Sequence, residues 1–133
     1  MTLTKGFNPN FDICLEFGEK YENEFQKIIE GKKIEVKTDR ITQRSTNVFV
    51  EYESRGKESG IAKTQAEWWT INFYSKDKFC FNITLKTKDL KNIIKNNTFK
   101  KIPGGDNNTS WGYLIPISKL IDYNNYGVEN ENS

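Results

Sequence analysis

The sequence predicts an α+β fold in a single domain of 133 residues, a length that suits one hydrophobic core. Three patterns support this fold class. Apolar residues recur at helical spacing in the segment 15–30. Residues 34–39 alternate and residues 47–53 are rich in β-formers, as strands are. Residues 71–74 and 79–85 bracket a short polar turn, as the two arms of a hairpin do.

The first helix and strand follow from local patterns. The helix of residues 15–30 is followed by Gly31, which stands where a C-terminal cap belongs. In the next strand, Ile34 and Val36 point one way and the charged residues point the other, as on a half-buried strand. Those charged residues are Glu35, Lys37 and Asp39. The polar residues 40–46 predict a loop.

The sequence of the middle of the chain predicts one turn and two helices. Residues 54–60, with two Gly, predict a turn. Residues 63–70 predict a short helix with Ala66 and Trp69 facing inward. Thr87 is a candidate N-cap for a further helix. The apolar residues of that helix are Leu90, Ile93 and Ile94.

The last third of the chain predicts one loop, one strand and a tail. Residues 102–110 contain Pro and two Gly, which predicts a flexible loop. Residues 111–117 predict the last strand, and Pro116 favours a sheet edge for it. From about residue 124 the sequence is polar, which predicts a flexible tail.

Composition and charge exclude several classes of protein. The 20 Lys and Arg nearly balance the 18 Asp and Glu, so the chain is not a uniformly basic nucleic-acid binder. It has no His, which excludes Ser-His-Asp triads, His-ligated zinc and a His general base. No apolar run approaches the ~20 residues of a membrane span, and no signal-peptide pattern is found. We therefore expect a cytoplasmic protein without membrane contact, with Cys14 and Cys80 as buried free thiols.

The residues with chemical potential are concentrated on two predicted strands. Alternation places Glu35 and Lys37 on one face of the first strand. It places Glu51 and Glu53 on one face of the second strand, opposite Val48, Val50 and Tyr52. If the two strands are neighbours, two or three carboxylates and one ammonium converge at the surface of the sheet.

Such a cluster suits the hydrolysis of a phosphodiester bond. Carboxylates hold a divalent cation, which neutralises phosphate charge, lowers the pKa of a bound water and orients it. A Lys beside the cation positions that water and stabilises the developing charge. Without a cation, carboxylates so close together would repel each other. Because the chain has no His and two Cys, the expected cofactor is an oxygen-binding cation, Mg²⁺ or Mn²⁺.

Several motifs in this part of the chain resemble the PD-(D/E)XK nuclease superfamily. The helix segment Gly18-Glu19-Lys20-Tyr21-Glu22 is similar to the Gly-x-x-x-Glu start of resolvase-like members. The segments KKIEVKTDR, NVFVEYESRGKESGI and TQAEWW are similar to a group of small phage-encoded nucleases. The resemblance covers residues 11–75 of the chain. It implies a restriction-endonuclease-like core, with a central mixed β-sheet flanked by helices, and metal-dependent cleavage of DNA.

The resemblance also assigns roles to individual residues, with two alignments open. Glu22 becomes the helix carboxylate, and Glu22, Glu35 and Glu51 become the metal ligands. In one alignment, Glu35 and Lys37 are the Glu-x-Lys pair of the motif. In the other, Glu35 replaces the Asp of the motif and Glu51-Tyr52-Glu53 replaces Glu-x-Lys. Glu53 then stands where Lys is expected, and Lys37 supplies the ammonium from the neighbouring strand.

Two further groups of residues complete the predicted site. Asp39 is a candidate ligand or support for the ligands, and Gln65 sits where related nucleases have a polar helix residue that faces the site. The three Arg of the chain lie within sixteen residues of each other, in two loops that flank the carboxylate strands. Arg and Lys dominate contacts to the nucleic-acid backbone. The predicted DNA-binding residues are Arg40, Arg44, Arg55 and Lys57.

We therefore expect a Mg²⁺- or Mn²⁺-dependent DNA endonuclease. A homodimer would let so small a chain cut both strands of a duplex. One alternative is a catalytically inactive nucleic-acid-binding module with the same fold. Another is a small α+β interaction domain with an unrelated acidic patch. Binding of a divalent metal separates the first hypothesis from the others, and binding of DNA separates the two alternatives.

Overall fold

The computed structural model describes residues 9–42 and 44–128, with side chains from residue 15 onward. These residues form two compact units that divide between Lys32 and Lys33. The first unit holds one helix, and the second holds two sheets and the other helices. The α+β class predicted from the sequence is therefore confirmed. Among the described helices, none combines the length and the apolar character that a membrane span requires.

Helix α1 spans Pro9–Ile29 and forms the first unit. It is the predicted helix, extended at its start. The helix ends just before Gly31, whose φ of +70° places it in the left-handed region, as expected of a C-terminal glycine cap. Within α1, the ring centroids of Phe17 and Tyr21 lie 4.4 Å apart, so the apolar spacing read from the sequence does bring these side chains together.

The first sheet has three strands in the order β1–β4–β5. β1 (Ile34–Arg40) runs parallel to β4 (Trp68–Ser75), and β5 (Lys78–Lys86) runs antiparallel to β4. The sheet is therefore mixed, and the predicted hairpin is confirmed as β4 and β5. Cys80 of β5 is exposed, so the predicted burial of this thiol is wrong, because β5 is an edge strand. The side chain of Cys14 lies outside the described residues.

The predicted helix over residues 63–70 is wrong. Gly60–Ala62 form a 3-10 turn, and β4 already begins at Trp68. β4 is the central strand of its sheet, and its burial overrides the local helical pattern. Ala66 and Trp69 are nevertheless buried, as predicted. The inward residues of β4 are Trp69, Ile71 and Phe73, each at most 1% exposed.

The second sheet has four antiparallel strands in the order β3–β2–β7–β6. β2 spans Asn47–Ser54, β3 Lys57–Glu58, β6 Lys100–Gly104 and β7 Ser110–Pro116. β2 therefore matches the second predicted strand, and β3 lies inside the predicted turn.

Two predictions for the last strands are wrong. The expected loop of residues 102–110 contains the end of β6, because Ile102 pairs with Gly112 of β7. β7 lies between β2 and β6, so Pro116 does not mark an edge strand. Pro116 is the final residue of β7, where the missing N–H removes no further ladder bond.

Helices α2 (Thr87–Lys95) and α3 (Ile117–Leu120) complete the second unit. The N-cap of α2 is Lys86 rather than Thr87, which is the first helical residue and is buried. The core joins both sheets to α2 and α3 through eleven residues. They are Val48, Val50, Ile61, Trp69, Ile71, Phe73, Leu85, Leu90, Ile93, Ile115 and Leu120.

The beginning of the predicted tail is structured. Tyr123–Tyr126 form a 3-10 turn, and the Tyr126 hydroxyl donates a hydrogen bond to the carbonyl of Leu120. Burial, together with the nearby charge of Asp89, raises the pKa of Tyr126. The rest of the predicted tail, residues 129–133, lies outside the described residues.

β1 alternates as predicted, but its charged side is the half-buried one. Glu35, Lys37 and Asp39 are half-buried, whereas Ile34 is 39% and Val36 59% exposed. The parallel register pairs the charged residues with Trp69, Ile71 and Phe73 of β4. Paired residues in a sheet share a face, so the charged side of β1 borders the core.

This orientation predicts different effects for one substitution at two valines. Val36→Thr should change the free energy of unfolding by no more than about 0.5 kcal/mol, as at most exposed positions. Val50→Thr should lower it by about 1–3 kcal/mol, because it buries a hydroxyl group at a position that is 1% exposed. Urea denaturation measures both values. Equal losses would show that β1 is turned the other way.

Candidate functional site

A cleft of about 170 Å³ lies between β1 and β2. Main-chain hydrogen bonds of 3.1 and 3.2 Å join Thr42 to Ser45 just beyond the end of β1. From this point the two strands diverge into different sheets, and we call this divergence the fork. The predicted convergence of charged residues assumed that β1 and β2 are neighbours in one sheet. That assumption is wrong, because the two strands are not paired along their length. The cleft is lined by Lys37, Thr38, Asp39, Val48, Phe49, Glu51, Trp69 and Ile71.

Lys37 lies on the half-buried side of β1 and is held by two contacts. Its Nζ atom is 3.6 Å from Oε1 of Glu35. The same Nζ atom lies 5.5 Å from the centroid of the Trp69 ring, within the range of a cation–π interaction. Glu35 does not line the cleft, but the ion pair holds it beside Lys37. The predicted Glu-x-Lys spacing thus brings the two side chains together on one face of β1.

Asp39 joins β1 to β2 at the fork. Its Oδ1 accepts a hydrogen bond of 2.8 Å from the Arg40 N–H, and its Oδ2 accepts one of 3.0 Å from the Phe49 N–H. This part of β2 pairs with β7 on one side only, so the Asp39 carboxylate takes the place of a strand partner on the other side.

Burial raises the pKa of Asp39, and the N–H groups of Phe49 and Arg40 oppose part of that rise. The folded chain therefore keeps the Asp39 proton to a higher pH than the unfolded chain does. The stability contributed by this group is complete below its unfolded pKa and is lost as the pH rises through the folded pKa.

Glu51 is positioned by the turn that follows β3. The Ser59 hydroxyl donates a hydrogen bond of 2.9 Å to Oε2 of Glu51. Gly60, with φ of +52°, packs so closely that an added Cβ would lie 2.1 Å from the Glu51 carbonyl oxygen. Ile61 is 4% exposed and anchors the turn in the core. Ser59 and Gly60 were not among the predicted site residues, although the Ser-Gly-Ile run is visible in the sequence.

Phe49 forms an apolar wall of the cleft and rests on two glycines. A Cβ added to Gly104 would lie 2.7 Å from the Cζ atom of Phe49, and one added to Gly112 would lie 2.6 Å from the same atom. Gly112 is also the register partner of Glu51. The second sheet therefore accommodates the ring only because β6 and β7 carry no side chain at these two positions.

Besides Glu35, two predicted site residues of the second unit, Glu53 and Gln65, do not line the cleft. Glu53 pairs with Glu58 of β3, beyond an irregularity in β2 that follows Glu51. Gln65 is exposed in the segment before β4, so its expected place on a helix is wrong. Glu22 lies on α1, in the other compact unit.

The four predicted DNA-binding residues are exposed near the two ends of β2. Arg40 and Arg44 lie in and beside the connection that leads to β2, and Arg55 lies in the turn that follows it, near Lys57. An eight-residue strand is roughly 25 Å long at ~3.3 Å per residue. The basic residues therefore flank β2 from opposite ends.

The carboxylates that line the cleft are the kind of donor that hard divalent cations bind. Within residues 9–42 and 44–128, no group of three Asp, Glu or Cys side chains has the arrangement of a metal site. Mg²⁺ is usually bound by one or two carboxylates, with waters and substrate phosphates as its other ligands. Asp39 and Glu51 supply two carboxylates to one cleft, which suits Mg²⁺ or Mn²⁺ better than softer metals.

Trp69 lines the cleft and carries a buried indole N–H group. Its side chain is 1% exposed, and its Nε1 atom has no hydrogen-bond partner among the described residues. A buried N–H group without an acceptor costs free energy.

Comparisons with protein-family models, with curated proteins and with solved structures gave no match to this chain.

The turn that holds Glu51 predicts an order of stability among glycine variants. Gly56 and Gly60 both have left-handed backbones, with φ of +77° and +52°, but only Gly60 has neighbours within 4 Å of an added Cβ. Gly56→Ala should cost about 1–2 kcal/mol from backbone strain alone. Gly60→Ala should cost about 2–5 kcal/mol, because the clash with Glu51 adds to the strain. Urea denaturation of both variants measures the difference, and equal costs would contradict the close approach.

Proposed function

We propose that the chain is a Mg²⁺- or Mn²⁺-dependent DNA endonuclease of the PD-(D/E)XK kind. The observation that carries this proposal is one small cleft lined by Asp39, Glu51 and Lys37 beside buried apolar residues. Partly burying charged groups costs free energy, and local conflicts of this kind are concentrated at functional sites. The β1–β4–β5 sheet is mixed, as the central sheet of this superfamily is expected to be, whereas β2, which carries Glu51, belongs to the other sheet.

In this proposal, Asp39 and Glu51 would hold the cation, with Glu35 close by. The bound cation would neutralise phosphate charge and make its water more acidic. Lys37, which is paired with Glu35, would donate hydrogen bonds to a phosphate oxygen or to the attacking water. Ser59 would keep Glu51 oriented.

The contact between Glu35 and Lys37 favours the alignment in which they form the Glu-x-Lys pair. Glu35 and Glu53 are both absent from the lining of the cleft, so the lining does not decide between the two alignments. Arg40, Arg44, Arg55 and Lys57 would contact the DNA backbone on either side of the cleft. Phage origin and a homodimer that cuts both strands belong to the same proposal.

A specific observation also favours the binding-module alternative. Both Asp39 oxygens already accept main-chain hydrogen bonds, and Lys37 is already paired with Glu35. In a catalytically inactive binding module, these contacts of Asp39 and Lys37 would serve only to stabilise the fold. Cleavage assays with wild-type protein separate the two functions.

Glu51→Gln should reduce Mg²⁺-dependent nicking of plasmid DNA by at least about 100-fold, because it removes one charge from the cation site. The Gln side chain can still accept the Ser59 hydrogen bond, so the fold should persist. DNA binding without metal should also persist. Lys37→Ala should likewise reduce nicking severely, through loss of the ammonium. Nicking is measured over titrations of Mg²⁺ and Mn²⁺, with circular dichroism as the folding control.

Glu58→Gln is the matched control for Glu51→Gln. It removes the same charge from an exposed position on β3, outside the cleft, and should nick like wild type. Wild-type activity in Glu51→Gln would show that the site is misplaced. If wild-type protein binds DNA but never nicks duplex, branched or single-stranded substrates with either metal, the binding module replaces the enzyme.

Replacing Arg40, Arg44 and Arg55 together with Gln should weaken DNA binding and flatten its salt dependence. Each phosphate contact that is lost should reduce the slope of log K against log salt by about 0.9 for duplex DNA. Fluorescence anisotropy at several salt concentrations measures the slope. The matched control replaces three exposed lysines elsewhere, Lys86, Lys88 and Lys119, with Gln. Equal slopes in both triple variants would contradict the assignment of the Arg residues.

A further inference from the structure

A second cavity, of about 220 Å³, lies between the second sheet and α2. Two tyrosines form its aromatic wall, and none of its lining residues is acidic. Pockets for drug-sized ligands span ~300–1,000 Å³, so this cavity suits one flat ring system rather than a larger ligand. We call it the tyrosine cavity, and it is lined by Tyr52, Ile61, Ala62, Lys91, Ile94 and Tyr113.

The two tyrosine rings are held together at the margin of the core. Their centroids lie 4.7 Å apart at an interplanar angle of 39°, and both residues are half-buried. Lys101 lies on β6, where it is the register partner of Tyr113, and its Nζ atom lies 5.7 Å from the centroid of the Tyr52 ring. The ring is therefore approached by a surface cation and is not enclosed by apolar residues on all sides.

Two lysines lie at the tyrosine cavity, and no acidic residue lines it. Lys91 lines it, and Lys101 lies over the Tyr52 ring. Both lysines are exposed. A ligand that complements this surface carries a flat ring for the tyrosines and a negative charge for the lysines. An unpaired nucleotide has both, because base–aromatic stacking and phosphate–lysine contacts are the two parts of single-strand recognition.

We propose that the tyrosine cavity binds one unpaired nucleotide, with the base against Tyr52 and Tyr113 and the phosphate near Lys91 and Lys101. The inference deepens the proposed function, on which it rests for the identity of the strand as DNA. It names the substrate class as DNA with an unpaired nucleotide. A duplex offers no free base to the cavity, so single-stranded DNA should gain affinity from these residues and duplex DNA should not.

The test compares binding to a single-stranded oligonucleotide, the blunt duplex of the same sequence and a free nucleoside monophosphate. All binding is measured in EDTA, so that cleavage does not contribute. Tyr52→Leu should weaken single-strand binding by about 5- to 100-fold, the usual effect of losing one base–aromatic stack. It should leave duplex binding unchanged. Tyr52→Phe keeps the ring and should bind like wild type.

The role of the lysines is tested through the salt dependence of single-strand binding. Lys101→Gln should reduce the slope of log K against log salt by about 0.7 for the single strand. Lys88→Gln, an exposed change on α2 outside the cavity, should not. Tyr74→Leu is the control for the ring, since Tyr74 is half-buried beside Phe79 and lies outside the cavity.

The three ligands show whether the bound nucleotide belongs to a DNA strand or is free. Loss of affinity on Tyr52→Leu for the oligonucleotide supports a strand, and loss for the monophosphate alone supports a free nucleotide in the same cavity. Unchanged affinity for both ligands overturns the inference, as does an equal loss in Tyr74→Leu. If Tyr52→Leu does not fold, ultraviolet cross-linking of a 5-bromodeoxyuridine oligonucleotide to wild type decides. Cross-links at Tyr52 or Tyr113 support the cavity, and cross-links elsewhere alone overturn it.

These outcomes are separable from those of the proposed function. Duplex nicking without any binding at the tyrosine cavity would overturn the inference and leave the endonuclease in place. Single-strand binding that depends on Tyr52, in a protein that never nicks DNA, would support the inference and overturn the endonuclease.

Discussion

The parallel register between β1 and β4 is the constraint on which the candidate site depends. It places Glu35, Lys37 and Asp39 on the face that β4 buries. A shift by one residue would move all three to the other face, where Val36 now lies. β4 permits no such shift, because its own inward aromatic and aliphatic residues are the centre of the core. The core therefore determines where the charges of β1 must lie, and local hydrophobicity does not.

The cleft exists because β1 and β2 diverge at the fork. Two strands that were paired along their length would leave no space between them, whereas β1 and β2 join different sheets after the Thr42–Ser45 bridge. The Asp39 carboxylate then supplies the acceptor that Phe49 would otherwise lack on that edge. On the other wall, Glu51 is fixed by a hydroxyl donor and by a glycine with no room for a side chain. Both carboxylates are thus held in place by the protein before any ligand is bound, which is how precise sites are supported.

β2 connects the two candidate sites of the second unit. Glu51 lines the cleft, and the next residue, Tyr52, lines the tyrosine cavity with Tyr113. Alternation along a strand is the physical reason that neighbouring residues serve different faces. β2 therefore positions both the Glu51 carboxylate and the Tyr52 ring, and any distortion of this strand would disturb both. The buried Val48 and Val50 hold the strand against the core.

The sequence by itself determined the α+β class, α1 with its glycine cap, the alternation of β1 and β2, and the hairpin of β4 and β5. These features follow from local periodicity and turn chemistry. It also singled out Lys37, Asp39 and Glu51 as chemically useful residues. Only the tertiary structure decided that residues 68–70 are strand rather than helix and that the charged side of β1 faces inward. It also decided that Glu53 and Gln65 lie outside the cleft while Ser59 and Gly60 support it. Each of these depends on strand pairing between distant segments, and a pattern of residue types along the chain does not encode which partner a strand will take.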